Sequence, residues 1–505
     1  MGGHYEKDIY RQLIELMERC EKMEKEHSEK IKKLEEKYER EIYELKEQHT
    51  KEVEKLKSEI VSLKKENAEL KAENQKLRED NERMKSILNN NSKNSSLPPS
   101  SDQKVRRANT YNSRQKSDRK AGGQPGHKGK TLTEDTVKKL LASGKCEYKI
   151  KNIGEKSEKY AVRYVIDLKI VPVIEEIRIY SDSKGKYNIP KEYNSKVIYG
   201  NMIKTIAVDL YGEGVVSNDR ICEFINNLSG SILNISTGSI YKFCREFFEK
   251  SSGTMSGIHE ILMNDDIVYT DATTVSNNGR QEYIRNQSTD TAVLYSPMEK
   301  KNLETLNKTG IIPGFTGTLV HDHESALYHF GTEHGECNVH LIRYNRKNTE
   351  ETGNKWSEQM TKLLCDIQNK KRALLSEGIS CFSDEELEII SKQYDDIISQ
   401  GREENKNTKH KYAKKEENAL LNRLVSYKHN HLLFAYNFNV DFSDNMSERD
   451  LRKCKNRQKM SGGFRKASGK EIFCTVLSII ETCKRNKKSV FDSIFTIFSG
   501  GVINF

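Results

Sequence analysis

From about residue 8 to residue 90 the chain has no proline and almost no glycine, so nothing in that span interrupts a helix. Between Val53 and Leu88 the apolar residues keep a heptad. Leu56, Leu63, Leu70, Leu77 and Met84 take the d position, while Val53, Ile60, Asn67, Asn74, Asn81 and Leu88 take a. Leucine at d with asparagine at a favours a parallel two-stranded coiled coil, in which the buried asparagines lower stability but fix register. Ile31, Leu34, Tyr38 and Leu45 follow a seam offset by one residue, which puts a register discontinuity between Leu45 and Val53. The alternative, a single solvated helix, leaves three in-register asparagines without a reason. Residues 8–90 are therefore expected to self-associate.

A chain of 505 residues exceeds one ordinary core, and a multidomain protein with three or four units is expected. Charged residues make up 32% and hydrophobic ones only 35%, a balance that suits long exposed helices with a modest globular part. The formal charge of +10 is compatible with a polyanionic partner, provided that it is localised. Ten cysteines are scattered without a CxxC pair, which argues against a disulfide framework. With no signal peptide and no apolar run of membrane-span length, a cytoplasmic protein with no membrane partner is expected.

Residues 91–130 read as a flexible basic linker. It carries a proline pair at Pro98 and Pro99, then Arg106, Arg107, Arg114, Lys116, Arg119, Lys120, Lys128 and Lys130 around a glycine-rich block. Cations on such backbone suit loose tracking of phosphates; a solubilising linker is the other reading. Residues 131–195 form a small β-rich segment in this reading, with alternation at 164–171 and 174–180. Only Cys146 is available there, so no four-ligand zinc site can be built locally and no zinc is expected. Residues 196–255 turn helical, with Ser217 and Ser236 as candidate caps. Two short helices suggest a helix-turn-helix-like DNA-binding region, and an ordinary helical hairpin fits the same pattern.

Beyond residue 260 the periodicity becomes that of strands. The run 267–275 carries Asp271, strand candidates follow at 282–285 and 292–295, and the run 317–320 leads into Asp322. That order suits an α/β RNase H-like domain over 260–500, with both aspartates on adjacent central strands. A charged helical stretch at about 346–431 reads as an insertion within it. After the insertion Glu448, Arg452 and Lys455 follow at i, i+4 and i+7 and share one helix face. A solvated ion pair would explain that segment alone, and a single Asp at a strand end is more often structural. Together the three carboxylates supply the hard oxygen ligands that Mg2+ (or Mn2+) uses on phosphodiesters. Cys337 and His340 stand three apart with no second ligand pair for zinc. His340 is assigned to orient a carboxylate or phosphate and Arg343 to contact DNA; core packing of Cys337 and His340 is the alternative.

Four blocks, in this order, carry a resemblance: Asn94-Ser-Ser-Leu-Pro-Pro-Ser-Ser-Asp102; Gly122-Gly-Gln-Pro-Gly-His127; Cys337-x-x-His340-x-x-Arg343; and Asn445-x-x-Glu448-Arg-Asp-Leu-Arg452 with Ser461-Gly-Gly-Phe-Arg465. Over nearly its whole length the chain resembles the TnpC-type DDE transposases of the bacterial insertion-sequence family numbered sixty-six. The resemblance implies a metal-holding catalytic triad at Asp271, Asp322 and Glu448, an N-terminal coiled coil, and DNA-end recognition by the region ahead of the catalytic domain. Two departures stand out. Relatives carry a cysteine-rich zinc segment where this chain keeps only Cys146, and they often have Asp-Glu where it has Asp271-Ala272.

The expected activity is metal-dependent strand cleavage at element ends and strand transfer of the 3′-hydroxyl into target DNA. Arg106, Arg107, Arg119, Lys120, Lys128, Arg343, Arg449, Arg452, Lys455 and Arg465 are the expected DNA contacts. Work at the bacterial nucleoid with accessory element-encoded proteins belongs to the same expectation. The rival is a catalytically silent DNA-binding or assembly protein derived from a transposase. For the first helix, Leu63→Pro should turn a self-associated protein into a monomer by light scattering; a variant that stays dimeric would refute the heptad reading.

Overall fold

The structure, a computed structural model, describes residues 5–91, 94–95, 133–144, 146–151, 162–166 and 170–505. The basic linker, with Arg106, Arg107, Arg119, Lys120 and Lys128, lies outside the described residues, as does the block 122–127. The chain divides into two compact units. The first is dominated by α1 (Tyr5–Leu88), one helix of 84 residues. Ion pairs such as Glu47–Lys51 stitch its surface at i, i+4. Its Leu56, Leu63, Leu70, Leu77 and Met84 are all exposed.

The second unit holds every other element except the first three residues of the helix Lys411–Ser426. It begins with α2 (Glu134–Ala142), whose first turn is capped by the Thr133 hydroxyl. No strand forms among the described residues of 164–171 or over 174–180; the one β pairing among the described residues of this stretch is an isolated bridge between Ser181 and Tyr187. Val165, Val173 and Ile174 are more than nine-tenths exposed, so the alternation has no sheet against which to bury its apolar side.

Four helices follow: α3 (Asn201–Gly212), α4 (Asn218–Leu228), α5 (Thr237–Lys250) and α6 (Ser252–Met263). Ser236 caps α5 by accepting from the Ser239 amide, whereas Ser217 precedes α4 without a side-chain bond. The connection 229–236 is longer than the ~3–4-residue turn of a helix-turn-helix. Asn226 holds it with both ends of its amide, donating to the Ile235 carbonyl (3.1 Å) and accepting from the Ile235 amide (2.7 Å).

The sheet is built from β1 (Ile267–Asn277), β2 (Arg280–Ser288), β3 (Val293–Met298), β4 (Thr318–His321) and β5 (Glu333–Glu336), with short α7 (Leu303–Leu306) before β4. Its order is β3-β2-β1-β4-β5. β1, β2 and β3 are antiparallel neighbours, while β4 and β5 run parallel to β1. Five helices then intervene: α8 (Asn338–Thr352), α9 (Trp356–Ser376), α10 (Asp384–Lys406), α11 (Lys411–Ser426) and α12 (Lys428–Tyr436). After them come α13 (Asn445–Asp450), α14 (Arg452–Ser461), α15 (Ala467–Arg485) and α16 (Val490–Phe498).

Strand alternation sorts the core into two layers. Val268 and Leu319 join a cluster with residues of α3–α6 and α14–α16, while their neighbours Tyr269 and Val320 join a second with α8–α12. Both sheet edges are covered. The Ser478 and Thr482 hydroxyls of α15 accept from the Tyr295 and Val293 amides of β3 (2.9 and 3.1 Å), and Asn430 of α12 donates to the His334 carbonyl of β5.

The Ser461-Gly-Gly-Phe464 block docks the end of α14 onto β1. Gly462 ends the helix at φ +70° and Gly463 turns on at φ +114°. Phe464 then exchanges backbone bonds with Ser276 and Asn278, both 2.7 Å. A Cβ on Gly463 would overlap the Ser276 carbonyl oxygen, whereas one on Gly462 meets nothing. Gly463→Ala should therefore cost this unit about 2–3 kcal/mol and Gly462→Ala only about 1, measured by denaturant unfolding; equal losses would contradict the docking.

Candidate active site

β1 and β4 lie side by side with Tyr269 opposite Val320. Asp271 lies two residues further along β1 and Asp322 directly follows β4, close enough that the charge of Asp271 acts on the Asp322 carboxyl. The Asp271 amide donates to Asn286 Oδ1 of β2 (3.0 Å), and Asn286 Nδ2 donates to the Ser447 carbonyl of α13 (3.4 Å). One fully buried amide thus ties β1 to the helix that carries Glu448. The same helix is fastened by Asp450, which accepts from Ser288 Oγ (2.8 Å) and from Arg485 Nη2 (2.5 Å).

Glu448 turns toward α8. Its Oε1 lies 3.5 Å from Arg343 Nη1 and 3.6 Å from His340 Nε2. The start of α8 is locked to the segment before α13, because the Asp444 amide donates to Cys337 Sγ (3.3 Å) and the Asn338 amide to the Phe442 carbonyl (3.1 Å). Cys337 is buried and its thiol is pushed up to about 12, mainly by that burial. Arg343, expected on DNA, is in this structure the partner of Glu448.

The field here is that of crowded anions. Burial first and the Asp271 charge second raise the Asp322 carboxyl to about 7, against the opposing pull of Lys301 and Arg285. Asp444 is buried, its Oδ1 has no hydrogen-bond partner, and its carboxyl is held well above the usual range. Burial is the main cause there, followed by Asp271, with Asp322 and Glu448 adding to it. His340 is kept below the ordinary imidazole value by burial and by Arg343, which favours the neutral ring.

Around the acids stands a set of cations with different duties. Arg285 is fully buried on β2, directly opposite Ala272; its Nη2 reaches both Glu324 oxygens (2.6 Å each) and its Nη1 reaches Thr270 Oγ1 (3.1 Å). On α14, Lys453 is paired with Glu213 and Glu481, and buried Arg457 stacks over the Tyr211 ring. Arg449, Arg452, Lys455 and Arg465 are exposed and make no ion pair among the described residues. These four stay available to phosphates.

Among the described residues no three His, Cys, Asp or Glu side chains are drawn together tightly enough to be a ready metal cage. Asp271 and Asp322 lie within reach of each other's charge, while Glu448 faces Arg343 and His340. The donor set still fits a hard divalent cation: carboxylate oxygens, two of them in mutual repulsion, and an orphaned buried oxygen on Asp444. Asp444, Arg285 and Asn286 were not assigned from sequence. Asp444 sits one helical turn before Glu448, a spacing that could have revealed it; the bonds that tie the other two to the site are long-range.

Acidic strand ends with open cations beside them are a layout suited to a polyanionic substrate. Residues 196–472 match a family described as Transposase IS66 family, and residues 42–133 match a family of unknown function (DUF6444). The first match spans more than half of the chain, which therefore belongs to the IS66 transposase family. No curated protein and no solved structure matches it. No helix of the described residues is long and apolar enough to cross a membrane.

A pH prediction follows from Asp322. Its carboxyl lies above the unfolded value of 3.8, so it favours folding while protonated and opposes it once ionised; the penalty grows as pH rises from about 4 through about 7. In chelator, Asp322→Asn should raise the melting temperature over wild type by more at about pH 8 than at about pH 5, read by calorimetry. A gain that shrinks with pH would contradict the arrangement.

Proposed function

We propose that this chain is a DDE transposase: it cuts DNA at the ends of its element and joins the freed 3′-hydroxyl to target DNA. The observation that supports the reading is the place of Asp271 on β1 and of Asp322 directly after the parallel β4, each within reach of the other's charge, with Glu448 on α13, which the Asn286 amide links to β1. The strand order β3-β2-β1-β4-β5, with its antiparallel hairpins and parallel β4 and β5, supports an RNase H-like catalytic domain interrupted by α8–α12.

Asp271, Asp322 and Glu448 would hold Mg2+ or Mn2+. When bound, such ions activate the attacking oxygen and stabilise the leaving one. Neutral His340 and cationic Arg343 orient Glu448, while Arg449, Arg452, Lys455 and Arg465 hold phosphates in register. In cleavage, water adds to phosphorus and the 3′-oxygen leaves with a proton. In joining, that hydroxyl adds to a target phosphate and displaces another 3′-oxygen, so one ester is made for each one broken and no nucleotide cofactor is consumed. The basic linker (Arg106, Arg107, Arg119, Lys120, Lys128) and the α3–α6 region are assigned to end recognition. The exposed heptad stripe of α1 is assigned to coiled-coil self-association that pairs two ends, with element-encoded proteins as further partners, in the bacterial cytoplasm at the nucleoid.

Asp271→Asn, Asp322→Asn and Glu448→Gln should each lower cleavage and joining of element-end duplexes by more than the ~10–100-fold typical of residues that only support a metal ligand. Undiminished activity in any one removes that residue from the site. Chelation should abolish both steps, and retained activity in chelator would refute the metal-dependent mechanism.

A further inference from the structure

Both neighbours of Asp322 in the chain are held by β5. On one side His321 Nε2 lies 3.2 Å from His334 Nδ1. On the other, His323 adopts a left-handed φ of +63°, and its Nδ1 lies 2.6 Å from Glu336 Oε1. A residue other than glycine keeps that backbone only where its surroundings hold it.

Glu336 is 2% exposed and has no part in the mechanism above. Four side chains converge on it. His323 and the Tyr328 hydroxyl meet Oε1, while Arg423 Nη2 (2.5 Å) and His431 Nε2 (3.0 Å) meet Oε2. Only an ionised carboxylate has acceptor sites for four donors at once. Burial opposes its ionisation, but the bonds from His323 and His431 and the Arg423 charge hold its carboxyl well below the usual range. Arg423 lies on α11 and His431 on α12, so the same carboxylate that grips the residue after Asp322 is itself gripped by the intervening helices.

We propose that Glu336 is a positioning residue for Asp322: it fixes His323, and through Arg423 and His431 it makes the placement of Asp322 depend on the packing of α11 and α12. The inference rests on the transposase reading of Asp322. It gives the helices between β5 and α13 a catalytic duty that they discharge without touching substrate.

The test uses the full chain, Mn2+ alone as the binding probe, and duplex DNA from the ends of the element that encodes it. His323→Ala removes the tether but leaves Arg423, His431 and Tyr328 on Glu336, so the melting temperature should stay near wild type. Manganese affinity by calorimetric titration and kcat for cleavage should each fall ~10–100-fold with KM for DNA unchanged. His323→Asn, which tolerates the left-handed backbone and keeps a donor, should recover part of the loss. Glu336→Gln should reproduce the loss; if it does not fold, His323→Ala decides alone. Wild-type manganese affinity and kcat in His323→Ala, alongside an inactive Asp322→Asn, would overturn the inference and leave the transposase reading standing. An active Asp322→Asn would remove both.

Discussion

Two carboxylates, Asp271 on β1 and Asp322 just past the end of the parallel β4, act on one another and set the terms for the rest of this molecule. Without a cation between them, like charges in so buried a setting oppose folding, and the packing around Asp271 and Asp322 answers that cost. Arg285 brings positive charge up through the sheet without exposing it, and Glu324 keeps that charge from being left uncompensated. Asn286 takes the Asp271 amide and passes its own donor to α13, so the strand and the acidic helix move as one body. The site is thus electrostatically strained but mechanically fixed, a combination expected where an ion completes the structure.

How much of this was legible in the sequence depends on how local each signal is. Asp271 and Asp322 could be read because each sits where an apolar run ends, and Glu448 because charge repeats at i+4 and i+7 after it, although the single helix face expected there is divided between α13 and α14 at Leu451. The helical block after β5 was legible from composition, although it runs from Asn338 to Tyr436 rather than 346–431. The stretch 164–180 alternates just as well, yet no ladder forms among its described residues, because a strand exists only by virtue of a partner and alternation does not name one. Arg285 and Glu324 are 39 apart, and Glu336 meets Arg423 and His431 from 87 and 95 residues away; no window of sequence contains such pairs. Ala272, a departure from the resembling family at sequence level, acquires its meaning only beside Arg285, whose guanidinium takes its carboxylate from β4's exit instead.

The cations of α14 show why net charge says little about function. Lys453 and Arg457 are spent on structure, one in an ion-pair cluster with Glu213 and Glu481, the other under an aromatic ring. Arg452 and Lys455, one turn apart, face outward beside the acids. A helix face that carries unpaired charge in line with a carboxylate site is informative; the chain total of +10 is not.

The way α15 closes the sheet has a consequence for how the family can vary. Ser478 and Thr482 are four residues apart, about 6 Å along a helix, and meet amides two residues apart, about 6.8 Å along a strand. The two spacings are nearly commensurate, so the helix stands in for a sixth strand. Adding or deleting one residue between those hydroxyls would rotate one of them by about 100° and orphan an amide. Tolerance to insertions and deletions is therefore unequal along the chain: loops of the helical block after β5 can lengthen, while α15 must keep its count.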